Sequence, residues 1–271
     1  MRFDLHVHTN HSDGILSPVQ VVGLAVKQKL DGIAITDHDT VSGIEDAIKE
    51  SLKYDNFKVI PGIEFSCICR DEEVHILGYF IDYKNPNIID ITDRLKSARL
   101  NRGMEIVKKI NSLGMDLTVE EVKQLAGEEY IGRPHIARAL IKKGYLSNIQ
   151  EGFDKYLNRG KPAYVERYKM TMENTINLIK SSGGISILAH PGLLKDKSII
   201  EYSIMLGIEG IECIHSKHTK QEVKLFSEIA SSKNLIATGG SDCHGEIVRG
   251  SLLLGSCFVD INNIPQMKER I

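Results

Sequence analysis

The sequence predicts an α/β fold in which parallel strands alternate with helices around one core. Short apolar runs bounded by turn residues alternate with segments of helical period, which is the pattern of repeated βα units. Histidines and acids follow the apolar runs, and in barrel folds the ends of the strands form the active-site face. The 271 residues, 42% of them hydrophobic, can bury the core of one large domain with an insertion or of two modest domains.

Seven apolar runs are candidate strands, at residues 3–7, 32–36, 58–60, 185–189, 208–214, 235–238 and 252–258. A further strand is expected to begin at Pro61, and residues 74–78 are expected to form a strand with a histidine inside. Ser17 precedes a proline at the first helical position and a glutamine placed for a capping box. This motif predicts a helix that begins there and runs to about Lys29.

The segment 94–169 breaks the βα rhythm and is expected to be a helical insertion. It has helical segments near 94–112, 118–126 and 134–143 and no convincing core strand. Residues 1–93 and 170–271 are then expected to form the barrel. Residues 94–170 contain 16 lysines and arginines against nine acids, a net charge of +7, so the remainder carries about −9. A solvated helical face would also explain this imbalance.

The overall composition argues against several classes of protein. A formal net charge of −2 gives no global attraction to nucleic acid or to an anionic membrane. The five cysteines are scattered without a CxxC spacing, so a reducing cytoplasm is the expected compartment, and Cys243 is interpreted as a packing residue. The N-terminus lacks the apolar core of a signal peptide, and no run of 18 apolar residues occurs. We therefore expect no membrane association and infer no obligate protein partner.

The residues most suited to chemistry are histidines and carboxylates at predicted strand ends. His6 and His8 are two residues apart at the end of a strand, so both imidazoles can reach one metal ion. Burying so many polar groups would be costly unless they neutralise one another around metal. The expected metal-site residues are six histidines and three acids: His6, His8, Asp13, His38, Glu64, His75, His190, Asp242 and His244. Nitrogen and oxygen donors without cysteine suit manganese, zinc or iron.

The runs HVHTNHSDG, TDHD, PGIE, VHILG, AHP and SDCH occur in this order over the whole chain. Together they resemble the PHP (polymerase and histidinol phosphatase) family. The insertion, with IGRPHIAR at 131–138 and further residues at 155–162, is similar to the branch of nucleoside 3′,5′-bisphosphate phosphatases and 5′-to-3′ exoribonucleases. The resemblance implies a distorted (β/α)7, TIM-like barrel with the helical insertion over its mouth.

The resemblance also implies how two to three divalent ions would be held, with manganese as the first candidate. One ion would lie among His6, His8, Glu64 and Asp242; Glu64 would bridge to a second, held by His75 and His190; Asp13, His38 and His244 would hold a third. The implied reaction is hydrolysis of a nucleotide phosphomonoester by metal-bound hydroxide, with Glu64 and Asp242 as catalytic residues. The expected substrate is the 3′-phosphate of a nucleoside 3′,5′-bisphosphate.

A second set of residues is expected to bind the substrate. Arg133 and His135 lie at the start of an insertion helix, where backbone N–H groups and the helix dipole attract a phosphate. Lys161 is a weaker candidate for the same role. His218 matches a substrate-site histidine of the branch and would bind phosphate or protonate the leaving oxygen, with His215 as the competing candidate in the same loop.

Several neighbouring residues have less defined roles. Asp37 and Asp39 are expected to orient the metal ligands. Tyr164 and Tyr168 could stack a base, although tyrosines beside an insertion more often pack against it. His11 is interpreted as a loop residue.

Three other functions compete with nucleotide phosphatase activity. A 5′-to-3′ exoribonuclease acting on short RNA would use the same metal chemistry and would also need a path for a longer strand, which the basic insertion could provide. Histidinol-phosphate phosphatase activity is disfavoured because the insertion does not resemble that branch. A non-catalytic PHP structural module is disfavoured because all nine metal positions are filled. The expected partner is thus a small phosphorylated nucleotide or a short RNA.

Overall fold

The computed structural model describes residues 1–126, 131–166, 168–248 and 250–271. Its strands are β1 (Arg2–Val7), β2 (Gly32–Ile35), β3 (Lys58–Cys69), β4 (Glu72–Tyr79), β5 (Met170–Thr171), β6 (Ile185–Leu188), β7 (Gly210–His215), β8 (Ile236–Gly240), β9 (Ile247–Val248), β10 (Ser251–Leu252) and β11 (Val259–Asp260). Its α-helices are α1 (Pro18–Lys27), α2 (Ile44–Ser51), α3 (Pro86–Ser112), α4 (Val119–Ala126), α5 (Arg133–Lys142), α6 (Ile149–Gly152), α7 (Met172–Ser181), α8 (Ser198–Met205), α9 (Lys220–Ser232) and α10 (Pro265–Lys268).

The central strands form a barrel in the order β1-β2-β3-β4-β6-β7-β8, with β11 beside β1. All neighbours in this barrel pair in parallel except β4, which runs antiparallel to both β3 and β6. The ring closes where the segment after β8 returns to β1. There the N–H of His8 donates to the carbonyl of Cys243, and the N–H of Asp242 donates to the carbonyl of His6, both at 2.9 Å. The expected distorted (β/α)7 barrel is confirmed, and the reversed β4 is its distortion.

The lower half of the barrel is filled by apolar side chains. Phe3, Leu5, Ile60, Leu77 and Tyr79 are buried there, and α10 packs beneath them through Met267. The hydroxyl of Tyr79 donates to the carbonyl of Leu5 at 2.9 Å, so the buried phenol is satisfied. Because this half is closed by packing, the polar residues gather at the opposite end, where the parallel strands end.

The helix predicted after the first strand is confirmed, with its capping box. The Ser17 hydroxyl accepts from the N–H of Gln20 at 3.3 Å, and the Gln20 side chain accepts from the N–H of Ser17 at 2.9 Å. The helix ends at Lys27, and Lys29 adopts a left-handed φ of 59°.

Two strand predictions were wrong in extent. The strands expected at 58–60 and from Pro61 are one strand, β3, of 12 residues, because β4 pairs with its whole second half. The strand expected at 252–258 is a turn flanked by β10 and β11. Gly255 adopts a φ of 73° there and donates its N–H to Asp4 Oδ2 at 2.8 Å, which ends the extended conformation.

The segment between β4 and β5 is helical and has a hydrophobic core of its own. Helix α3 begins at Pro86, earlier than residue 94, and runs for 27 residues. Its first half packs on the barrel through Ile88 and Leu95, whereas its second half, through Ile106 and Ile110, packs against α4 and α5. This one helix therefore connects the barrel to the insertion. Within the described ranges, no helix is long and apolar enough to cross a membrane.

Candidate active site

The nine residues expected to bind metal meet at the mouth of the barrel. His6 and His8 come from the end of β1, and the others come from the loops that follow parallel strands or from the β3–β4 hairpin. Glu64 lies in the middle of β3, where it bridges in parallel to His38. Because β4 runs antiparallel to its neighbours, it starts at the mouth of the barrel, and His75 lies within the strand instead of after its end.

Glu64 is the centre of this cluster and is completely buried. Its two oxygens face five imidazoles. Oε2 lies 3.3 Å from His6 Nε2, 3.3 Å from His8 Nε2 and 2.9 Å from His38 Nδ1, and Oε1 lies 2.9 Å from both His75 Nδ1 and His190 Nε2. One carboxylate therefore connects ligands from β1, β2, β4 and β6.

Two aspartates extend the cluster on either side of Glu64. Asp242 Oδ1 lies 3.3 Å from His8 Nε2, and Asp242 Oδ2 lies 3.3 Å from His215 Nε2. Asp13 Oδ1 lies 3.1 Å from His244 Nε2. Both aspartates are almost inaccessible to solvent, so their charges must be balanced inside the site.

Among the described residues, four groups bring ligand atoms within 4.8 Å of one another, the spacing of a metal site. They are His8, Asp13, His38 and His244; His6, His8, Glu64 and Asp242; His38, Glu64 and His75; and His6, Glu212 and His215. The first three groups contain eight of the nine expected ligands. His190 joins them through its contact with Glu64.

Unpaired buried atoms are concentrated in the same place, which tests whether the residues fit metal ions. Although these atoms lie close to one another, several of them form no hydrogen bond of acceptable geometry. They include His6 Nε2, His8 Nε2, Asp13 Oδ1, His38 Nδ1 and Glu64 Oε2. Leaving buried polar atoms unpaired is costly, and folded proteins rarely do so. Cations would satisfy these atoms at once, and mixed nitrogen and oxygen donors suit manganese, zinc or iron. The residues therefore fit a set of divalent ions.

The electrostatics of the cluster favour bound positive charge. Burial raises the pKa of Glu64, but the imidazoles of His38, His75 and His6 outweigh burial and hold that pKa well below its usual range. Burial lowers the pKa of His75, but Glu64 and Glu73 outweigh it and raise the pKa to about 9. The pKa of His8 is likewise raised, to about 10. The ionised carboxylates thus increase the affinity of these nitrogens for a cation, either a proton or a metal ion.

The backbone is strained where three barrel strands lead into the mouth. Asp39, His190 and Asp242 have φ values of 55°, 27° and 55°, which residues with a side chain rarely adopt. They follow β2, β6 and β8. Such strain persists only where the surroundings determine it, and it is common at functional sites.

The two aspartates expected to orient ligands act through neighbouring loops. Asp37 accepts the N–H of Thr9 at 2.7 Å and the hydroxyls of Thr9 and Ser12, both at 2.6 Å, which holds the loop that carries Asp13. His11, in the same loop, donates its N–H to the Thr9 hydroxyl at 3.2 Å.

Asp39 joins helix α3 to the barrel. It accepts the N–H of Ser66 at 2.8 Å and the Nε–H of Arg99, also at 2.8 Å. Arg99 is buried on α3, so this ion pair holds the insertion against the barrel mouth.

Glu212 is a functional candidate that the sequence analysis missed. It is completely buried on β7, with Oε1 3.0 Å from His6 Nδ1 and Oε2 accepting the N–H of His190 at 2.7 Å. A carboxylate in this position fixes which nitrogen of His6 faces the nine expected ligands around Glu64, here called the metal cluster. The available signal was an acid inside the apolar run 208–214, but only acids at strand ends were considered.

A cavity of about 270 Å³, here called the inner pocket, opens directly onto the metal cluster. Its walls are Asp13, His38, Ser66, Glu73, His75, Arg99, Arg102, Arg133, Pro134 and Phe153. Of its three arginines, only Arg133 was predicted from the sequence. Arg99 and Arg102 gave no local signal because basic residues occur throughout the insertion. Glu73 could have been found, since it shares a strand face with His75 two residues later.

The expected phosphate-binding residues are placed differently from one another. Arg133 lines the inner pocket, with Nη2 3.7 Å from Glu73 Oε2. His135 is buried and accepts the N–H of Gly132 at 3.2 Å, and burial lowers its pKa to about 4. It would therefore meet a phosphate as a neutral group. Lys161 lies on an exposed turn and, within the described part of the chain, does not line the inner pocket.

The two histidines considered for the leaving group also differ. His218 Nδ1 donates to the carbonyl of Cys213 at 2.9 Å, and its Nε2 accepts the N–H of Gly192 at 3.1 Å. Both ring nitrogens are thus bonded to backbone groups. His215 Nε2 instead points at Asp242, in the metal cluster. His215 is therefore the better placed of the two.

The remaining residues of interest have structural contacts. Tyr164 is half-buried and donates its hydroxyl to Glu166 at 2.8 Å, while Tyr168 is 55% exposed. Cys243 packs in the apolar layer under α1 and α2, as expected.

Comparisons with known proteins agree with this site. Residues 4–156 match the PHP domain. The chain is 32% identical over 249 residues to the 5′-3′ exoribonuclease of Haemophilus influenzae, a match that covers 90% of each protein. It is 30% identical over 247 residues to the 3′,5′-nucleoside bisphosphate phosphatase of Chromobacterium violaceum, covering 89% of this chain and 86% of that protein. A solved structure from Bifidobacterium adolescentis, whose name assigns it to the metal-dependent phosphoesterases, superposes with a TM-score of 0.89 at 28% identity and covers 99% of this chain and 96% of its own. The chain therefore belongs to the PHP domain family.

Proposed function

We propose that this chain is a metal-dependent phosphoesterase that removes the 3′-phosphate of a nucleoside 3′,5′-bisphosphate. The observation that carries the proposal is the buried cluster around Glu64, whose unpaired ligand atoms adjoin a pocket with three arginines. The cluster is suited to divalent ions, and Arg102 and Arg133 are suited to phosphate oxygens, whereas Arg99 is paired with Asp39. Relatives named for a bisphosphate phosphatase and for an exoribonuclease support this class of substrate.

The proposed metal ligands are the nine residues of the cluster, with manganese as the first candidate and zinc or iron as alternatives. One ion would be held by His6, His8, Glu64 and Asp242, a second by Glu64, His75 and His190, and a third by Asp13, His38 and His244. Bound divalent ions lower the pKa of water and neutralise phosphate oxygens, which supplies the nucleophile and the charge stabilisation that the reaction needs.

The protein side chains would orient and neutralise the phosphate. Arg133 and Arg102 line the inner pocket, where their guanidinium groups can pair with phosphate oxygens. His135 is not among the described residues that line this pocket, and as a buried neutral group it is the proposed further hydrogen-bond partner of the phosphate. In hydrolysis, an oxygen from water bonds to phosphorus while the bond from phosphorus to the ribose 3′-oxygen breaks. The 3′-oxygen takes up a proton, and His215, at the edge of the cluster, is the proposed group beside it.

A 5′-to-3′ exoribonuclease is a second candidate because it would break the same bond. Removing the first nucleotide of a 5′-phosphorylated RNA as a 5′-monophosphate also separates phosphorus from a ribose 3′-oxygen. The two substrates differ only in whether that phosphorus carries further nucleotides. A larger cavity of about 940 Å³ beside the inner pocket favours this candidate.

Two competing functions have less support. A non-catalytic module would have no need to leave this many buried ligand atoms unpaired. Histidinol-phosphate phosphatase activity has less support because the helical insertion does not resemble that branch of the family. All five cysteines are free, which supports the cytoplasm as the proposed compartment.

The test is to incubate manganese-loaded protein with adenosine 3′,5′-bisphosphate and, separately, with a 5′-phosphorylated RNA pentamer. Products are resolved by chromatography, with a chelator control. We expect AMP and phosphate from the bisphosphate, and no turnover with Glu64→Gln. The Glu209→Gln variant is the matched control, because the Glu209 side chain accepts hydrogen bonds from Ser186, at the opposite end of the barrel. Activity of the Glu64→Gln variant equal to wild type, or no hydrolysis of either substrate by wild type, would refute the proposal.

A further inference from the structure

A second cavity, here called the outer cleft, continues from the inner pocket toward solvent. It has a volume of about 940 Å³, more than three times the 270 Å³ of the inner pocket. The two cavities share Glu73 and Arg133 as wall residues. A substrate whose phosphate lies at the metal cluster could therefore extend into the outer cleft past Arg133.

The outer cleft lies between the barrel and the insertion. The barrel side is the tip of the β3–β4 hairpin, around Arg70, and the loop after β6 that carries Lys195. The insertion side is formed by Asn158, Arg159, Tyr164, Glu166 and Lys169. Its charged wall residues are Arg70, Arg133, Arg159, Lys169, Lys195, Asp71, Glu72, Glu73 and Glu166. Among the wall residues that the structure describes, cations thus outnumber acids by one.

Most of the acids are already engaged by protein groups. Glu73 Oε2 lies 2.9 Å from Lys169 Nζ and 3.7 Å from the Arg133 guanidinium. Glu72 accepts the backbone N–H of Lys195 at 2.7 Å, and Glu166 accepts the hydroxyl of Tyr164 at 2.8 Å. Glu72 and Glu73 are therefore held against the walls, whereas the side chains of Asp71 and Glu166 are 91% and 58% exposed.

Two cations in the walls of the cleft have exposed side chains. Arg159 is exposed and bonds mainly to the backbone carbonyl of Asp71, at 2.7 Å, while its distance to the Asp71 carboxylate is 4.0 Å. The ammonium of Lys195 is exposed and forms no ion pair with any residue that the structure describes. Both charges are available to a polyanion. Tyr164 is also a wall residue of the outer cleft, and its ring, which has the Arg102 guanidinium 5.7 Å from its centroid, is an aromatic group on which a base can stack.

We propose that the outer cleft binds the nucleotides that lie 3′ of the scissile phosphate in a short single-stranded RNA. The inference rests on the proposed function, because it places the phosphate under attack at the metal cluster. Arg159 and Lys195 pair with the phosphates beyond it, and Tyr164 stacks a base. A bisphosphate has no nucleotide beyond the scissile phosphate, so it does not reach these two cations.

The experiment compares wild type with the double variant Arg159→Ala/Lys195→Ala on the RNA pentamer and on adenosine 3′,5′-bisphosphate. We expect kcat/KM for the pentamer to fall roughly tenfold, with the value for the bisphosphate unchanged. Each lost phosphate contact on a single strand reduces the slope of log affinity against log salt by about 0.7. The salt dependence of KM for the pentamer should therefore become shallower by about 1.4, and that for the bisphosphate should not change. The double variant Lys224→Ala/Lys233→Ala removes the same charge at α9, outside the cleft, and is the matched control.

Each outcome separates this inference from the proposed function. Hydrolysis of the bisphosphate alone by wild type would support the proposed function and overturn the cleft proposal. Equal losses on both substrates, or an equal loss in the α9 control, would also overturn it. No hydrolysis of either substrate would remove the proposed function itself.

Discussion

Glu212 is expected to determine the metal affinity of the site without contacting substrate. Its two oxygens bond to two different ligand residues, at His6 Nδ1 and at the backbone N–H of His190. In Glu212→Gln, the amide oxygen can accept only one of these hydrogens, and its NH2 group would face the other donor. In Glu212→Ala, both partners lose their acceptor. The variants therefore remove one and two supports of the same cluster.

The expected loss of metal affinity follows from the number of hydrogen-bond acceptors that each variant removes. Loss of one carboxylate partner behind a metal-bound histidine lowers metal affinity about 10- to 100-fold. We expect about tenfold weaker manganese binding for Glu212→Gln and about 100-fold for Glu212→Ala. These factors correspond to about 1.4 and 2.7 kcal/mol.

Calorimetric titration of the metal-free protein with manganese measures this affinity directly. Glu209→Gln is the control, because Glu209 precedes the same strand but bonds Ser186 instead of a metal ligand. Urea unfolding of each metal-free variant separates weaker binding from a weaker fold. Manganese affinities that match the control in both Glu212 variants would refute the argument that Glu212 orients the ligands.

Three further predictions concern stability and are measured by urea unfolding. Arg99→Leu should cost about 3–5 kcal/mol because it breaks the buried ion pair between Arg99 and Asp39, whereas Arg94→Leu, on an exposed turn of the same helix, should cost almost nothing; equal costs would contradict this. Folding lowers the pKa of His135 to about 4, so the unfolded chain binds one more proton than the folded chain as the pH drops below 6.5. Between pH 7.5 and 5, the free energy of unfolding of wild type should therefore fall by about 2 kcal/mol more than that of His135→Gln. Parallel pH profiles of the two proteins would exclude this linkage. Ser17→Ala should cost about 1 kcal/mol through loss of the capping box, with catalysis unchanged; a neutral substitution would show that the cap contributes nothing.

The parts of the fold that could be predicted were those specified by local pattern. The capping box at Ser17 and the apolar runs of β1 and β2 are local signals, and each formed where expected. The length of β3 could not be predicted because β4 determines it by pairing with its second half, a tertiary interaction. The turn at Gly255 was missed for a similar reason, since its N–H bonds to Asp4, which lies 251 residues away in the sequence.

The residues of the candidate site also divide into those that a local sequence pattern predicts and those that depend on tertiary structure. Strand-end histidines such as His6 and His190 were predictable because parallel strands all end at one face of a barrel. The roles of Arg99 and Arg102 were not, because helix α3 crosses to the barrel mouth only in three dimensions. For His218, the sequence showed a reactive residue type, but its two bonds to backbone groups depend on how the loops after β6 and β7 meet.

The reversed direction of β4 affects how this architecture can change over evolution. Because β4 ends at the bottom of the barrel, the chain returns to the mouth along α3, whose 27 residues span about 40 Å. The insertion then occupies the interval between α3 and β5, and none of its described residues pairs with a barrel strand. Changes in the length or sequence of that interval can alter which molecules reach the metal cluster while barrel closure stays intact. The residues that the insertion contributes to the cleft walls can thus change independently of the barrel strands that carry the expected metal ligands.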